Sequence, residues 1–313
     1  MKPMIVLTGP TAAGKTNLSI KLAKAVHGAV ISADSMQVYK KMDIGTAKIM
    51  PEEMDGVDHY LVDILDPKEE FNVARFQTMA KEALEKIYAK GQIPIIVGGT
   101  GFYIQALLYD IQFSDTKKDD TYREELKLIA KQQGNRVLHQ MLAKVDPKGA
   151  AAIHENNVKR VIRALEYYKE TGEPISEHNE KERQRKSPYN FAYFVLTHER
   201  SILYDRINRR VDVMMERGLL KEVQQLKEEG YGRNLVSMQG LGYKEILQYL
   251  DGEISQEEAI YILKRDTRHF AKRQLTWFGR ERDVIMIEKQ KFADEDEILT
   301  YMLSIIRERG ILC

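Results

Sequence analysis

The chain opens on an unbroken apolar run, Met4-Ile5-Val6-Leu7, with the length and composition of a buried strand. A helical pattern follows, with Leu18, Leu22, Ala25 and Val26 on one face and Gly28 placed to cap its C-terminus. Ala29-Val30-Ile31-Ser32 reads as a second strand, ending at Ala33-Asp34-Ser35. Residues 36 to 58 lack periodicity and carry Gly45, Pro51 and Gly56, so they read as irregular; His59 to Ile64 predict a short strand. Asn72 is placed to cap a helix that turns Val73, Phe76, Ala80, Ala83, Leu84 and Ile87 inward, and Gly91 ends it. Ile93-Pro94-Ile95-Ile96-Val97 is again wholly apolar, followed by Gly98-Gly99-Thr100-Gly101 and a helix through Leu108. Strands apolar on both faces and alternating with helices predict a parallel sheet covered on both sides.

The pattern then changes. Residues 114 to 190 are helical and strongly charged: Tyr122, Leu126 and Ile129 mark one helix, Val137 to Leu142 a second, and Val158, Val161, Ile162, Leu165 and Tyr168 a third. Asp146-Pro147 reads as a cap and first-turn pair, and residues 180 to 188 as a polar loop. The sheet pattern resumes at Ala192 to Leu196. Helices follow at about 201–216 and 218–229, a glycine-rich turn enters a helix over 239–250, and a long helix runs from Glu257 to Gly279. A last strand, Val284 to Ile287, and a helix near 295–308 close the chain.

Between the first strand and helix lies Gly9-Pro10-Thr11-Ala12-Ala13-Gly14-Lys15-Thr16, which fits G-x-x-x-x-G-K-[ST] in the strand–loop–helix setting that a phosphate-binding P-loop requires. Backbone amides at a helix N-terminus bind phosphate oxygens, Lys15 adds a point charge, and the Thr16 hydroxyl is placed to hold Mg²⁺. The expected fold is thus an α/β, P-loop NTPase-like parallel sheet with helices on both faces (1–113 and 191–313), plus a mainly helical insertion domain (114–190). A chain of 313 residues can bury such a core. With 48 Lys and Arg against 47 Asp and Glu, any nucleic-acid surface must come from local segregation of charge. The single cysteine, Cys313, excludes a disulfide framework within the chain and fits a reducing cytoplasm. Met1-Lys2-Pro3 leads straight into the first strand without a signal peptide, and no apolar stretch has the length of a membrane span.

Two features argue against an ordinary NTPase. The strand at 93–97 ends in Gly98-Gly99-Thr100 where a metal-holding Asp would be expected. The nearest acid is Asp34, taken to end the neighbouring strand, where it can hold Mg²⁺ through water, serve as a general base, or cap a turn. The second feature is a basic stretch, Lys264, Arg265, Arg268, Lys272, Arg273, Arg280 and Arg282, interleaved with His269, Phe270, Trp277 and Phe278. Cations with flat side chains suit looped RNA; a solvated charged face over an aromatic core is the plainer reading. Arg206 and Arg210, four apart on a helix with Arg209 beside them, can clamp a diphosphate or pair with nearby acids.

The P-loop, Ser32 to Tyr39, Met42 to Lys48, Val97 to Tyr103, Lys159 to Glu166, Gly240 to Glu245 and Thr267 to Gln274 together resemble the tRNA dimethylallyltransferase family, in order over nearly the whole chain. The resemblance implies transfer of a dimethylallyl group from dimethylallyl diphosphate to N6 of adenosine 37, just 3′ of the anticodon, in tRNAs reading codons that start with U. It implies that the P-loop holds a departing diphosphate with Mg²⁺ on Thr16, and that Arg210, with Arg206 second, reaches the same oxygens. Asp34 would take a hydrogen bond or proton from the adenine amine, and Thr11 and Thr100 would line the site. The implied tRNA contacts are Asp34, Ser35, Met36, Gln37, Thr100, Arg123, Arg160, Arg163, Lys244, Arg268, Lys272 and Arg273. The implied partners are the tRNA anticodon stem-loop and dimethylallyl diphosphate, with no membrane, for a cytoplasmic monomer. The rivals are a P-loop small-molecule kinase, which turns over ATP without RNA, and a nucleotide-controlled RNA-binding switch without covalent chemistry.

Overall fold

The computed structural model of the protein describes residues 1–113 and 120–312; the expected boundary at 114 and Cys313 lie outside them. In chain order the elements are β1 (Lys2–Thr8), α1 (Lys15–Ala25), β2 (Gly28–Ala33), β3 (His59–Tyr60), α2 (Val73–Ala89), β4 (Ile93–Gly98) and α3 (Gly101–Leu108). Then come α4 (Asp120–Gln133), α5 (Asn135–Val145), α6 (Pro147–Ala152), α7 (Val158–Thr171) and α8 (Ile175–Arg183). The last are β5 (Tyr189–Thr197), α9 (Arg200–Glu216), α10 (Leu219–Glu228), α11 (Tyr243–Leu250), α12 (Gln256–Phe278), β6 (Val284–Glu288) and α13 (Glu295–Glu308). The chain divides into two compact units, Met1–Leu108 with Pro188–Cys313, and Tyr109–Ser187. The first unit resumes earlier than residue 191 because β5 is longer than its apolar run: Tyr189, Asn190 and Phe191 pair with Lys2, Pro3 and Met4.

In the first unit six parallel strands lie in the order β3-β2-β4-β1-β5-β6. Side chains alternate across each strand, so Ile5, Leu7, Phe194 and Leu196 pack with Leu18 and Leu22 of α1 and Met302 and Ile306 of α13 in one fully buried cluster. On the sheet, α2 packs against β2 and β4. Burying each such Leu, Ile or Phe contributes about 1.5–3 kcal/mol. In register, Thr8 of β1 and Ala33 of β2 both stand opposite Gly98 of β4. The P-loop, Asp34 and Gly99 therefore leave the sheet side by side at its carboxyl edge, where ligands of open α/β sheets bind. Gly98 permits this closeness, since a Cβ there would lie 2.3 Å from the Ala33 carbonyl oxygen.

Asp34 does follow the strand next to β4, and β4, lying between β1 and β2, separates it from the P-loop. Several local expectations change. Ala23 takes the buried position of α1 assigned to Ala25, which is exposed as the helix's last residue. His27, at φ 49°, turns the chain after α1; Gly28 instead starts β2. Only His59 and Tyr60 of the stretch read as a strand join the sheet, because Leu61 and Asp63 adopt φ of 62° and 57° and break the ladder. Asn72 caps α2 as expected, its side chain accepting from the Arg75 amide at 3.0 Å.

The second unit is helical, with Leu126, Leu138, Leu142, Val161, Ile162 and Leu165 in its core. Asp146 is buried: it accepts from the Gly149 amide at 2.7 Å, capping α6, and from the Ser176 amide and hydroxyl at 3.0 and 2.5 Å, tying in α8. α8 extends to Arg183, into the stretch read as a polar loop.

Candidate active site

The half-buried P-loop lysine anchors the site. Lys15 donates to the Gly9 and Pro10 carbonyls at 2.9 and 2.8 Å, and its ammonium is pushed down to about 8, first by burial, then by the neighbouring charge of Arg210, with Asp34 opposing. Arg210, one face of α9, is likewise lowered by burial and raised by Asp34. Two cations and one carboxylate thus converge at the carboxyl edge of the sheet. Asp34 spends one oxygen on the turn that follows it: Oδ1 accepts from the amides of Met36 and Gln37 at 2.8 and 3.3 Å. Its Oδ2 makes no hydrogen bond among the described residues. The turn-capping and chemical readings of Asp34 are therefore compatible, one for each oxygen.

The expected arginine pair separates. Arg206 is exposed and its Nε donates to the Ala12 carbonyl at 2.8 Å, bracing the loop from outside, whereas Arg210 points in beside Lys15. The amide of Thr11 does not join the phosphate-facing set: it donates to Gln274 Oε1 at 2.9 Å, and Gln274 Nε2 donates to the Gly99 carbonyl at 2.9 Å. Thr100 is half-buried, its amide donating to the Ala33 carbonyl at 3.2 Å.

A cavity of about 910 Å³ adjoins these groups, with Thr16 and Arg210 among its lining residues beside Ile44, Ile49, Met214 and Glu222. Two ionic hubs that sequence reasoning missed shape its wall. Glu222 of α10 accepts from the amides of Asp43, Ile44 and Gly45 at 3.0, 2.7 and 3.1 Å and from the Tyr243 hydroxyl at 2.7 Å. Lys48 is buried and donates to Asp43, Asp63 and the Tyr39 carbonyl, each at 2.6 Å. Gln37 donates to the carbonyl of Ala47 in this wall at 3.1 Å, and Met36 packs against Gly240. Ser35 is half-buried beside them.

The cationic residues expected to meet RNA fall into two groups. Arg123 is taken up within the second unit by a bidentate pair with buried Glu166, at 2.7 and 2.8 Å, so it fastens α4 to α7. Lys244 lies between Glu245 at 3.3 Å and Asp266 at 3.8 Å, and Arg268 donates to Asn208 at 2.6 Å. Each of these three thus has a carboxylate or amide oxygen within reach inside its own unit. Lys272 and Arg273 on α12, and Arg160 and Arg163 on α7, are exposed.

Residues 37–281 match the IPP transferase family. The chain belongs to that family. Relatives agree over the full length. The chain is 61% identical over 312 residues to the tRNA dimethylallyltransferase of Lachnoclostridium phytofermentans, covering 100% of both chains. It is 51% identical over 311 residues to that of Acetivibrio thermocellus, covering 99% of both. Among solved structures it resembles the tRNA isopentenylpyrophosphate transferase of Bacillus halodurans at 46% identity and a TM-score of 0.73, covering 99% of this chain and 98% of that one. It also resembles a eukaryotic dimethylallyltransferase acting on tRNA at 32% identity and a TM-score of 0.81, covering 99% of this chain and 80% of that one. No helix of this IPP transferase, among the described residues, is long and apolar enough to cross a membrane. Nor do they bring three or more His, Cys, Asp or Glu side chains together as a metal cluster.

Proposed function

We propose that the chain transfers a dimethylallyl group from dimethylallyl diphosphate to N6 of adenosine 37 in tRNAs that read codons starting with U. The observation that carries this reading is the convergence of Lys15, Arg210 and Asp34 at a P-loop whose neighbouring strand β4 ends in glycine and not in a carboxylate. Such a site holds phosphates firmly and offers a base to an acceptor, but lacks the acid that a phosphoryl-transfer enzyme uses to hold its metal beside the loop. Membership of the IPP transferase family favours this reading over a small-molecule kinase or an RNA-binding switch.

In this reading the P-loop amides, Lys15 and Arg210 bind the diphosphate. As the allylic C–O bond breaks, its electron pair leaves with the diphosphate, and the same cations stabilise the growing charge. N6 of the adenine forms the new C–N bond, and its proton passes to the free Oδ2 of Asp34. Thr16 is exposed at the cavity and its hydroxyl is unpaired among the described residues, a donor set that suits Mg²⁺ held mostly by diphosphate and water. When bound, that ion would neutralise charge on the departing diphosphate. Exposed Lys272, Arg273, Arg160 and Arg163 would meet RNA phosphates, and Ser35, Met36, Gln37 and Thr100 would line the acceptor side. A loop adenine reaches such a site at an unstacking cost of a few kcal/mol. A monomer working in the cytoplasm completes the proposal.

The test is incubation with unmodified tRNA, Mg²⁺ and dimethylallyl diphosphate labelled in the prenyl group, with ATP replacing the prenyl donor as control. Label in the RNA is expected. Phosphoryl transfer from ATP with no prenylated RNA would overturn the proposal in favour of a kinase.

A further inference from the structure

Gln274 sits on the buried stripe of α12, with Thr267, Ala271 and Phe278, and is itself only 6% exposed. A buried amide at such a position costs free energy unless both of its ends are bonded. Here both are, and to backbone groups far apart in sequence. Oε1 accepts from the Thr11 amide in the P-loop, and Nε2 donates to the Gly99 carbonyl just past β4. The approach to Gly99 is close: a Cβ there would stand 2.2 Å from Nε2 and would displace the Gln274 amide. One turn on, Trp277 packs the same way on Gly101, where a Cβ would lie 2.3 Å from its ring. The link continues from residue 99, since the Thr100 amide donates to the Ala33 carbonyl, immediately before Asp34.

We propose that Gln274 is a positioning residue of the transfer reaction, fixing the diphosphate cradle relative to the Asp34 side of the site. The proposal rests on the prenyl-transfer reading for its chemistry, and on the two hydrogen bonds for its geometry. The allylic carbon is carried by the diphosphate, while its acceptor is oriented from Asp34, so the distance between the two is set by what joins the P-loop to the ends of β4 and β2. Thr8, whose hydroxyl donates to the Gly98 carbonyl at 2.6 Å, fixes that distance at the sheet. Gln274 fixes it above the sheet, where the reacting atoms lie. A misplacement of about 1 Å in such an arrangement can cost a hundredfold in rate.

Two full-length variants test this. Gln274→Met keeps the volume and removes both bonds. Gln274→Glu can keep both only when its carboxyl is protonated, the C=O accepting from Thr11 and the O–H donating to Gly99; a carboxylate cannot donate. We expect Gln274→Met to lower kcat at least tenfold while leaving the KM for tRNA unchanged, and to weaken binding of inorganic diphosphate in calorimetry. Gln274→Glu, relative to wild type, should recover as pH falls, because burial raises the carboxyl's pKa, while the Gln274→Met ratio stays flat. A merely structural role would move activity only in step with the folded fraction, which for Gln274→Glu also recovers as pH falls; thermal melts on the same samples at each pH give that fraction, and the expected loss is in kcat per folded molecule. Wild-type kcat in Gln274→Met, or a pH-independent ratio for Gln274→Glu, overturns the proposal. If wild type itself transfers no label while diphosphate binding still separates Gln274→Met from wild type, the prenyl-transfer reading fails and the brace stands. Equal diphosphate binding in that case removes the brace too.

Discussion

At the scale of single residues, Lys15 gives the clearest quantitative expectation. Its folded pKa is pushed down to about 8 from an ordinary 10.5. Between those values the unfolded chain holds a proton that the folded lysine has released, so this group's contribution to stability rises with pH across that window. Function runs the other way, since only the ammonium attracts diphosphate. The KM for dimethylallyl diphosphate should rise as pH climbs through about 8 and beyond, and Lys15→Met should raise KM and abolish that limb of the profile. A pH-independent KM in the wild type from about 7 to 9.5 would remove Lys15 from donor binding. Asp34→Ala should keep tRNA affinity and lose most of kcat, because one oxygen caps the Met36–Gln37 turn and the other is free for the acceptor. Unchanged turnover at saturating substrates would rule out the base. Much of this was legible in the sequence: the P-loop names Lys15, and the missing acid after β4 directs attention to Asp34. Gln274 was not legible as a brace, because its partners are backbone groups 263 and 175 positions away. The signs available were its place in the 267–274 segment and its spacing of three and four residues from Ala271 and Phe278, on the stripe that turns inward.

At the scale of elements, the stretch between β2 and β3 shows what hydrophobic periodicity cannot report. It reads as irregular, yet it is held by Glu222 on one side and buried Lys48 on the other. Both hubs work through loop amides or carboxylates, which leave no repeat in the sequence. Glu222→Gln replaces an acceptor-only carboxylate, each oxygen of which accepts twice, with an amide that must aim its NH₂ at two of the four donors. It should cost about 1–3 kcal/mol, seen as a lowered Tm, and should raise the KM for the diphosphate donor because the loop walls the cavity that Thr16 and Arg210 also line. An unchanged Tm would mean that the loop is held elsewhere. α12 shows the converse error of charge counting. Lys264 pairs with Asp212 at 2.5 Å, Arg265 with Asp266 at 2.8 Å, and Arg268 with Asn208, so part of its basic run is spent inside the unit. The solvated-face and RNA-binding readings of this helix each describe some of its residues.

At the scale of the whole molecule, the α/β class was readable because parallel strands covered on both faces carry unbroken apolar runs, as residues 4–7 of β1, 29–31 of β2 and 93–97 of β4 do. The strand order was not readable, since nothing in the sequence says that β4 inserts between β1 and β2. The overall charge of +1 sets the last expectation. A chain with so little net charge must draw its tRNA affinity from local groups of exposed cations that have no carboxylate partner among the described residues, and each phosphate contact then adds a slope of nearly one to log K against log salt. Lys272→Ala with Arg273→Ala should therefore weaken tRNA binding and lower that slope by up to about two. Arg160→Ala with Arg163→Ala, in the helical unit, should do the same, while diphosphate binding stays at the wild-type level in both cases. Arg123→Ala should behave differently: with Glu166 left buried without its partner, it should lower Tm, and the salt slope should stay unchanged. A pair whose removal leaves the salt slope intact has no place in the RNA interface, whatever its exposure.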